Sequence, residues 1–265
     1  MKMSQYSYII CCLGIVFILS SDFLFTNPKN CSICLHSLDS LFSIDAWGNA
    51  FHTKHEHEGI FCHSCSRIIS QGVTKGGYYY QDGRHLCSLC ITTAVNNDST
   101  IQADYKSVVL QCKKAGIPNV AENISIRLVD LHTLNHEAGK LAHARLKGFT
   151  QFKTWDTTIQ DNNKFHISIL SGLPRVEFQA VLAHELLHIW LHQHQIRLPQ
   201  EVEEGFCNLG RHLIYENDQT KFSIIHLQAM ENDLDPIYGT EYRKMKEQLK
   251  QKGWKNLISN LMNYH

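Results

Sequence analysis

Three pairs of cysteines, each separated by two residues, stand in the first third of the 265-residue chain: Cys31/Cys34, Cys62/Cys65 and Cys87/Cys90. They constrain that region more than any hydrophobic pattern does. A block of about 60 residues buries too little apolar surface to fold unaided. Metal binding can supply what is missing, about 10 kcal/mol or more for a structural zinc. In chain order, Cys31-x2-Cys34-x17-His52-x2-His55 makes one four-ligand set and Cys62-x2-Cys65-x21-Cys87-x2-Cys90 a second. Zinc takes four nitrogen or sulfur ligands at tetrahedral corners, and a pair two residues apart fits on one tight turn. The all-cysteine set exceeds a common zinc spacing by a single residue. In the mixed set, His57 competes with His55 for the fourth position. A disulfide within C-x2-C is mainly a redox-enzyme feature, so thiolate ligation is the better reading even in an exported chain. Gly76-Gly77 and Asp82-Gly83 mark turns between short apolar stretches, which predicts small hairpins.

From about Asn96 the cysteines thin out and longer patterns replace them. Helix is expected over 101–114, 175–195, 200–216 and 238–262, and strand over 124–130 and 164–171. The expected class is α+β: a small zinc-stapled β module over 26–95, followed by a second domain over 96–265. Residues 1–25 form an apolar leader, with an uncharged run from Tyr8 to Leu19 and a second patch from Phe23 to Phe25. The longer run is short of the about 20 residues a transmembrane helix needs, so both a signal peptide and an anchor fit. Either makes the chain exported (periplasmic or secreted) or membrane-anchored, with membrane contact only through that segment. Lys+Arg and Asp+Glu balance at 25 each, and Lys54, Arg67, Lys75 and Arg84 are scattered through the cysteine block, which argues against a nucleic-acid partner.

The segment richest in chemistry is Ala183-His184-Glu185-Leu186-Leu187-His188. On a helix, His184 and His188 lie one turn apart on one face and Glu185 about 100° around the axis. Phe178, Val181, Leu182, Leu186 and Ile189 supply an apolar flank, and Pro174 is expected at the first helical position. Catalytic zinc commonly takes three protein ligands and leaves one position for water. Glu204 is the expected third ligand, on a second helix introduced by Pro199, with Glu203 as its competitor. Glu185 then serves as general base. An oxyanion donor is also needed, and His212 or Tyr215 on the Glu204 helix is the candidate. The strand before the first helix, Phe165 to Leu170, is expected at a sheet edge, where an extended peptide can add. Cys112 and Cys207 are expected as buried small hydrophobes, and Tyr242, Met245, Leu249, Trp254, Leu257, Ile258 and Leu261 as the apolar face of a closing helix.

Ile169 to Arg175, Ala183 to Leu191 and Val202 to Cys207, with Asp45-Ala46-Trp47-Gly48-Asn49 and Asp82-Gly83-Arg84 ahead of them, resemble the LIM-linked HExxH metallopeptidases of the plant growth-restricting "DA-one" type, of which bacteria carry shorter homologues. A bacterial source would reconcile that resemblance with the leader. The resemblance implies a LIM-like double-zinc module and a zincin-type, gluzincin-like peptidase domain. It implies two structural zinc ions and one catalytic, with zinc on His184, His188 and Glu204 and catalysis at Glu185. Its partners would be protein or peptide substrates, with a further protein partner or autoregulation through the LIM-like part. Regulation by ubiquitin is not carried over. The alternative is a LIM-type interaction adaptor whose second domain keeps zinc for structure alone.

Overall fold

The computed structural model describes the backbone of Ile9–Ile10 and residues 28–120, 124–152 and 165–262. The chain divides into two compact units, Met1–Thr93 and Ala94–His265. The expected leader lies outside the described residues apart from Ile9–Ile10. Among the described residues, no helix is long and apolar enough to cross a membrane.

The first unit is built from very short elements. A strand β1 (Ile9–Ile10) pairs parallel with β2 (Phe42–Ile44), which pairs antiparallel with β3 (Ala50–His52). Helical turns α1 (His55–Glu58) and α2 (Gln71–Thr74) precede the hairpin of β4 (Gly77–Tyr79) and β5 (His85–Cys87), and the turn α3 (Ser88–Ile91) follows. Elements this short cannot stabilise themselves. The fully buried apolar cluster is correspondingly small: Cys31, Phe51 and Ile68. Polar bonds carry the connections. Buried Asp45 accepts from the Trp47 and Asn49 backbone amides (2.9 Å each), closing its own turn, and from the Ile68 amide at 3.0 Å. The Trp47 indole donates to the Cys65 carbonyl at 2.7 Å, and Arg67 lies 3.5 Å over its ring. The Asp45–Asn49 motif therefore ties the segment between the first ligand pairs to the second ligand set. Arg84 is buried against Asp82 at 2.8 Å.

The second unit has a conventional core. Helix α4 (Asp98–Ala115) is capped by the Asn97 side chain on the Thr100 amide and stopped by Gly116 at φ 94°. Strand β6 (Ile124–Val129), helix α5 (Leu131–Ala138), strands β7 (Gly148–Phe152) and β8 (Phe165–Leu170) and helices α6 (Arg175–Gln193), α7 (Gln200–Asp218) and α8 (Lys221–Glu231) follow. A π-helical turn, Pro236–Thr240, leads into α9 (Glu241–Met262), which is broken at Gly253. The molecule is thus a mixture of helix and sheet, as its patterns predicted, and the expected residues of α9 are buried except Trp254, which is half-buried. Pro174 and Pro199 stand one position ahead of the first helical residue, each as an N-cap.

The sheet corrects one expectation. Its order is β6-β8-β7, so β8 is the central strand, parallel to β6 and antiparallel to β7. β7 is an edge strand that no clear sequence pattern marks. Gly148-Phe149-Thr150-Gln151-Phe152 opens on glycine and alternates weakly, while β8, buried along nearly its whole length, has the continuous apolar pattern of a covered strand.

Helix α6 crosses the centre of the unit. Phe178, Leu182, Leu186 and Ile189 are fully buried, each contributing about 1.5–3 kcal/mol relative to exposure. The Trp190 indole donates to the Pro118 carbonyl at 2.9 Å. After six residues of turn, α7 packs on α6 with almost no gap: a Cβ at Gly210 would lie 2.7 Å from the Ala183 carbonyl oxygen. Glycine there lets one helix close on the other at the turn that carries His184.

Candidate metal centres

Among the described residues, three groups place their metal-binding atoms within 4.8 Å of one another: Cys31, Cys34, His52 and His55; Cys62, Cys65, Cys87 and Cys90; and His184, His188 and Glu204. Every one of these residues was expected from spacing. All eight described cysteines are free thiols.

In the first group, Cys34 Sγ and His52 Nδ1 are 3.4 Å apart. Tetrahedral arms of about 2.3 Å to sulfur and about 2.0–2.1 Å to nitrogen give an edge of about 3.6 Å, so the pair fits zinc. The opposite ring nitrogen, His52 Nε2, meets the Ser37 carbonyl at 2.9 Å, which leaves Nδ1 for the group. His55, not His57, takes the fourth position, and its Nε2 is buried with no protein partner. Burial pushes the Cys31 thiol up, but backbone amides of Cys34, His52 and Ile33 outweigh it and bring it to about 7, toward the thiolate that ligation needs. In the second group, Cys65 and Cys87 sulfurs stand 3.8 Å apart, far beyond a disulfide bond and close to the edge of a Zn–S tetrahedron, about 3.8 Å. The Cys87 amide donates to Cys62 Sγ at 3.3 Å. Four buried sulfurs share too little room for four independent protons: contacts with Cys65 and Cys90 lower Cys62 against an opposing contact with Cys87, while contacts with Cys62 and Cys87 raise Cys65. The clusters suggest zinc binding on the chemistry of their donors alone.

The third group is built by α6 and α7. His184 Nε2 and His188 Nε2 are 3.2 Å apart. Glu204 approaches them at 3.4 and 3.7 Å, one oxygen to each ring. Burial alone would raise the Glu204 carboxyl, but its bonding and charge interaction with His184, and the charge of His188, hold it below the usual range. The competitor Glu203 has a different place: its Oε1 meets His188 Nδ1 at 2.8 Å, the carboxylate–histidine contact that fixes a ligand ring and leaves Nε2 facing the group. Buried Cys207 interacts with the same imidazole. The sequence offered no means to place either contact. His184 Nδ1 is buried without a protein partner.

Glu185 is 5% exposed, and its Oε2 accepts a 2.7 Å hydrogen bond from the Thr150 hydroxyl on β7. His212 does not join the group. Its Nδ1 meets the Tyr242 hydroxyl at 2.9 Å and its Nε2 faces Glu216 at 3.5 Å. Eight residues along α7 from Glu204 is more than two turns, which carries His212 away from the ligand. Tyr215 is buried on α7 against His226, their rings 5.0 Å apart. The groups within electrostatic reach of Glu204 are instead His143, from the loop ahead of β7, and Tyr238, from the π-helical turn. Their rings are 4.9 Å apart. That turn is held on α7 by Asn208 donating to the Tyr238 carbonyl at 3.3 Å. Burial and the Glu204 and Asp235 charges push the Tyr238 phenol up to about 12, so it keeps its proton at neutral pH; burial lowers His143. Neither residue belongs to a readable motif, since a π-turn has no helical or strand period.

Residues 142–224 match the family model described as DA1-like, Protein DA1. That stretch runs from just before His143 into α8 and includes Thr150, His184, Glu185, His188 and Glu204. The curated relatives include Protein DA1-related 2 of Arabidopsis thaliana, 27% identical over 232 residues (73% of this chain and 43% of the relative). Protein DA1 of the same plant is 27% identical over 224 residues, 70% of this chain and 41% of the relative. The LIM domain-containing protein HDR3 of Oryza sativa subsp. japonica is 25% identical over 229 residues, 72% and 45%. The chain thus spans under half the length of the curated relatives it matches. No solved structure matches it. These likenesses, together with two Cys/His clusters of LIM-like spacing, support placing the chain with the DA1/LIM family.

Proposed function

We propose that the chain is a zinc-dependent endopeptidase of gluzincin type, whose LIM-like module over 26–95 engages protein partners or substrates. One observation carries the reading: a buried carboxylate, Glu185, held by a hydrogen bond, stands one residue from His184 in a group where, among the described residues, three ligand atoms converge. A purely structural zinc wants a fourth protein ligand and has no need of the carboxylate. All three candidate ligand residues are half-buried, so none is sealed from solvent.

Zinc bound there would polarise a peptide carbonyl and lower the pKa of its water toward about 7. Glu185 would act as the general base, accepting a proton from the attacking water and passing it to the departing amine, a role typically worth about 10²–10⁴-fold. Glu203 holds the His188 ring. The protonated phenol of Tyr238, with His143 against it, takes the donor role first expected of His212 and faces the charge that develops on the carbonyl oxygen. The open edge of β7, beside Glu185, offers backbone groups to an extended peptide.

The relatives' printed names favour a second reading, since they speak of DA1 and a LIM domain and name no reaction. Under it the chain is a non-catalytic adaptor that binds proteins through the LIM-like part. Both readings include protein interaction, which DA1 and LIM-domain relatives suggest. The discriminating experiment compares the zinc-loaded parent with Glu185→Gln on a panel of denatured proteins. The peptidase reading expects cleavage by the parent, none by the variant, and equal zinc content. Absence of cleavage by the parent, or equal cleavage by both, would leave the adaptor.

A further inference from the structure

Strand β7 makes two specific accommodations for Glu185 that the proposed chemistry does not by itself require. Residues two apart on a strand share a face. Gly148 and Thr150 are such a pair, and both meet the same side chain. A Cβ built on Gly148 would lie 2.6 Å from Glu185 Oε1, 2.6 Å from Val181 Cγ1 and 3.0 Å from Glu185 Cγ, so the carboxylate occupies the space a side chain at 148 would take. Two residues on, the Thr150 hydroxyl donates to Glu185 Oε2 at 2.7 Å, and Thr150 is itself buried. The strand is locked in register by antiparallel pairing with β8, Gly148 opposite Ile169 and Thr150 opposite Ile167. One oxygen of the carboxylate is thus fixed by a donor on a rigid element, and the other is confined beside a glycine.

We propose that Thr150 is a positioning residue for the general base: its hydroxyl fixes Glu185 Oε2 and turns Oε1 toward the reacting water, with Gly148 supplying the room. This rests on the peptidase reading above. A side chain acting as base must be held to within a fraction of an ångström, and misplacement by about 1 Å can cost 10²-fold in rate. A buried carboxylate with free torsions would not meet that demand. A threonine in a β-strand does, because its branched side chain has restricted χ1 freedom.

The test uses the full zinc-loaded chain in four forms: parent, Thr150→Val, Thr150→Ser and Glu185→Gln. Valine keeps the shape and removes the donor; serine keeps the donor. Thr150→Val is expected to lower kcat about 10- to 100-fold with KM, zinc content and melting temperature near those of the parent, and Thr150→Ser to recover most of the loss. A crystal structure of Thr150→Val supplies a readout besides activity, and there the Glu185 carboxylate should be rotated or split between orientations. Parent-like kcat for Thr150→Val while Glu185→Gln is inactive would overturn the inference and leave the peptidase reading standing. So would an unmoved Glu185 in the Thr150→Val crystal, or a loss that serine does not recover. An inactive parent would instead remove the peptidase reading itself, and the positioning role with it. Gly148→Ala adds a second probe: if it folds, its kcat should fall without any change at Thr150, and parent-like kcat there would count against the assignment of space to Glu185.

Discussion

The two units solve the same problem with opposite means. The first has strands of two or three residues, a small buried apolar cluster of Cys31, Phe51 and Ile68, and eight candidate ligand residues gathered in two groups. The second has unbroken helices of up to 19 residues around a large apolar interior and sets its three candidate ligand residues at the margin of that interior. The ligand residues differ accordingly. In the all-cysteine group every one is buried, whereas His184, His188 and Glu204 are all half-buried. A metal that holds a fold together belongs in a closed, four-ligand site; one that meets substrate needs an accessible side. Burial and ligand count, more than ligand type, distinguish the all-cysteine group from the third; the mixed group lies between them, with four residues of which two are half-buried.

The largest expected effect is on metal removal. Chelation should unfold the first unit, with a loss on the order of 10 kcal/mol per structural ion, while the helices of the second persist. Segment-resolved hydrogen exchange checks this; uniform protection after chelation would break the comparison. Next, Trp190→Ala should cost the second unit about 3–5 kcal/mol through the cavity it leaves, with no change in zinc bound by the cysteine group. Denaturant melts followed by metal analysis would show it, and a coupled loss of that zinc would contradict the independence of the two stabilising devices. Glu203→Gln should weaken zinc binding at the third group about 10–100-fold by releasing the His188 ring, read by competition with a fluorescent chelator. Smallest is Asn97→Ala, about 1 kcal/mol from the lost α4 cap, visible as a modest shift in the melting of the second unit alone.

Much of this was legible because metal ligands obey short-range rules. C-x2-C is set by one turn, and His184 with His188 by the helical period, so ten of the eleven candidate ligands could be named from spacing, with His57 left as an alternative to His55. Glu204 followed from a short connection between two amphipathic helices. What could not be read is what depends on long-range placement. β7 was hidden by its glycine and weak alternation, so β8 took its place at the edge. His212 has the right residue type on the right helix, but its rotation and distance along α7 point it to Tyr242. The contacts of Glu203, Cys207, Thr150 and Tyr238 arise only when separate segments are brought together, and no local pattern encodes them.

On the proposed reading, a metal at the third group would keep a side open to solvent, whereas metals at the first two would be closed by four protein ligands. Anomalous diffraction at the zinc edge on crystals of the metal-loaded chain tests it directly, by giving each ion its own set of neighbours. The account predicts four protein ligands at each Cys/His group, and at the third His184, His188 and Glu204 with a water or hydroxide completing the shell beside Glu185. A fourth protein atom there, such as Cys207 Sγ turned inward, or Glu204 directed away from both imidazoles, would contradict it.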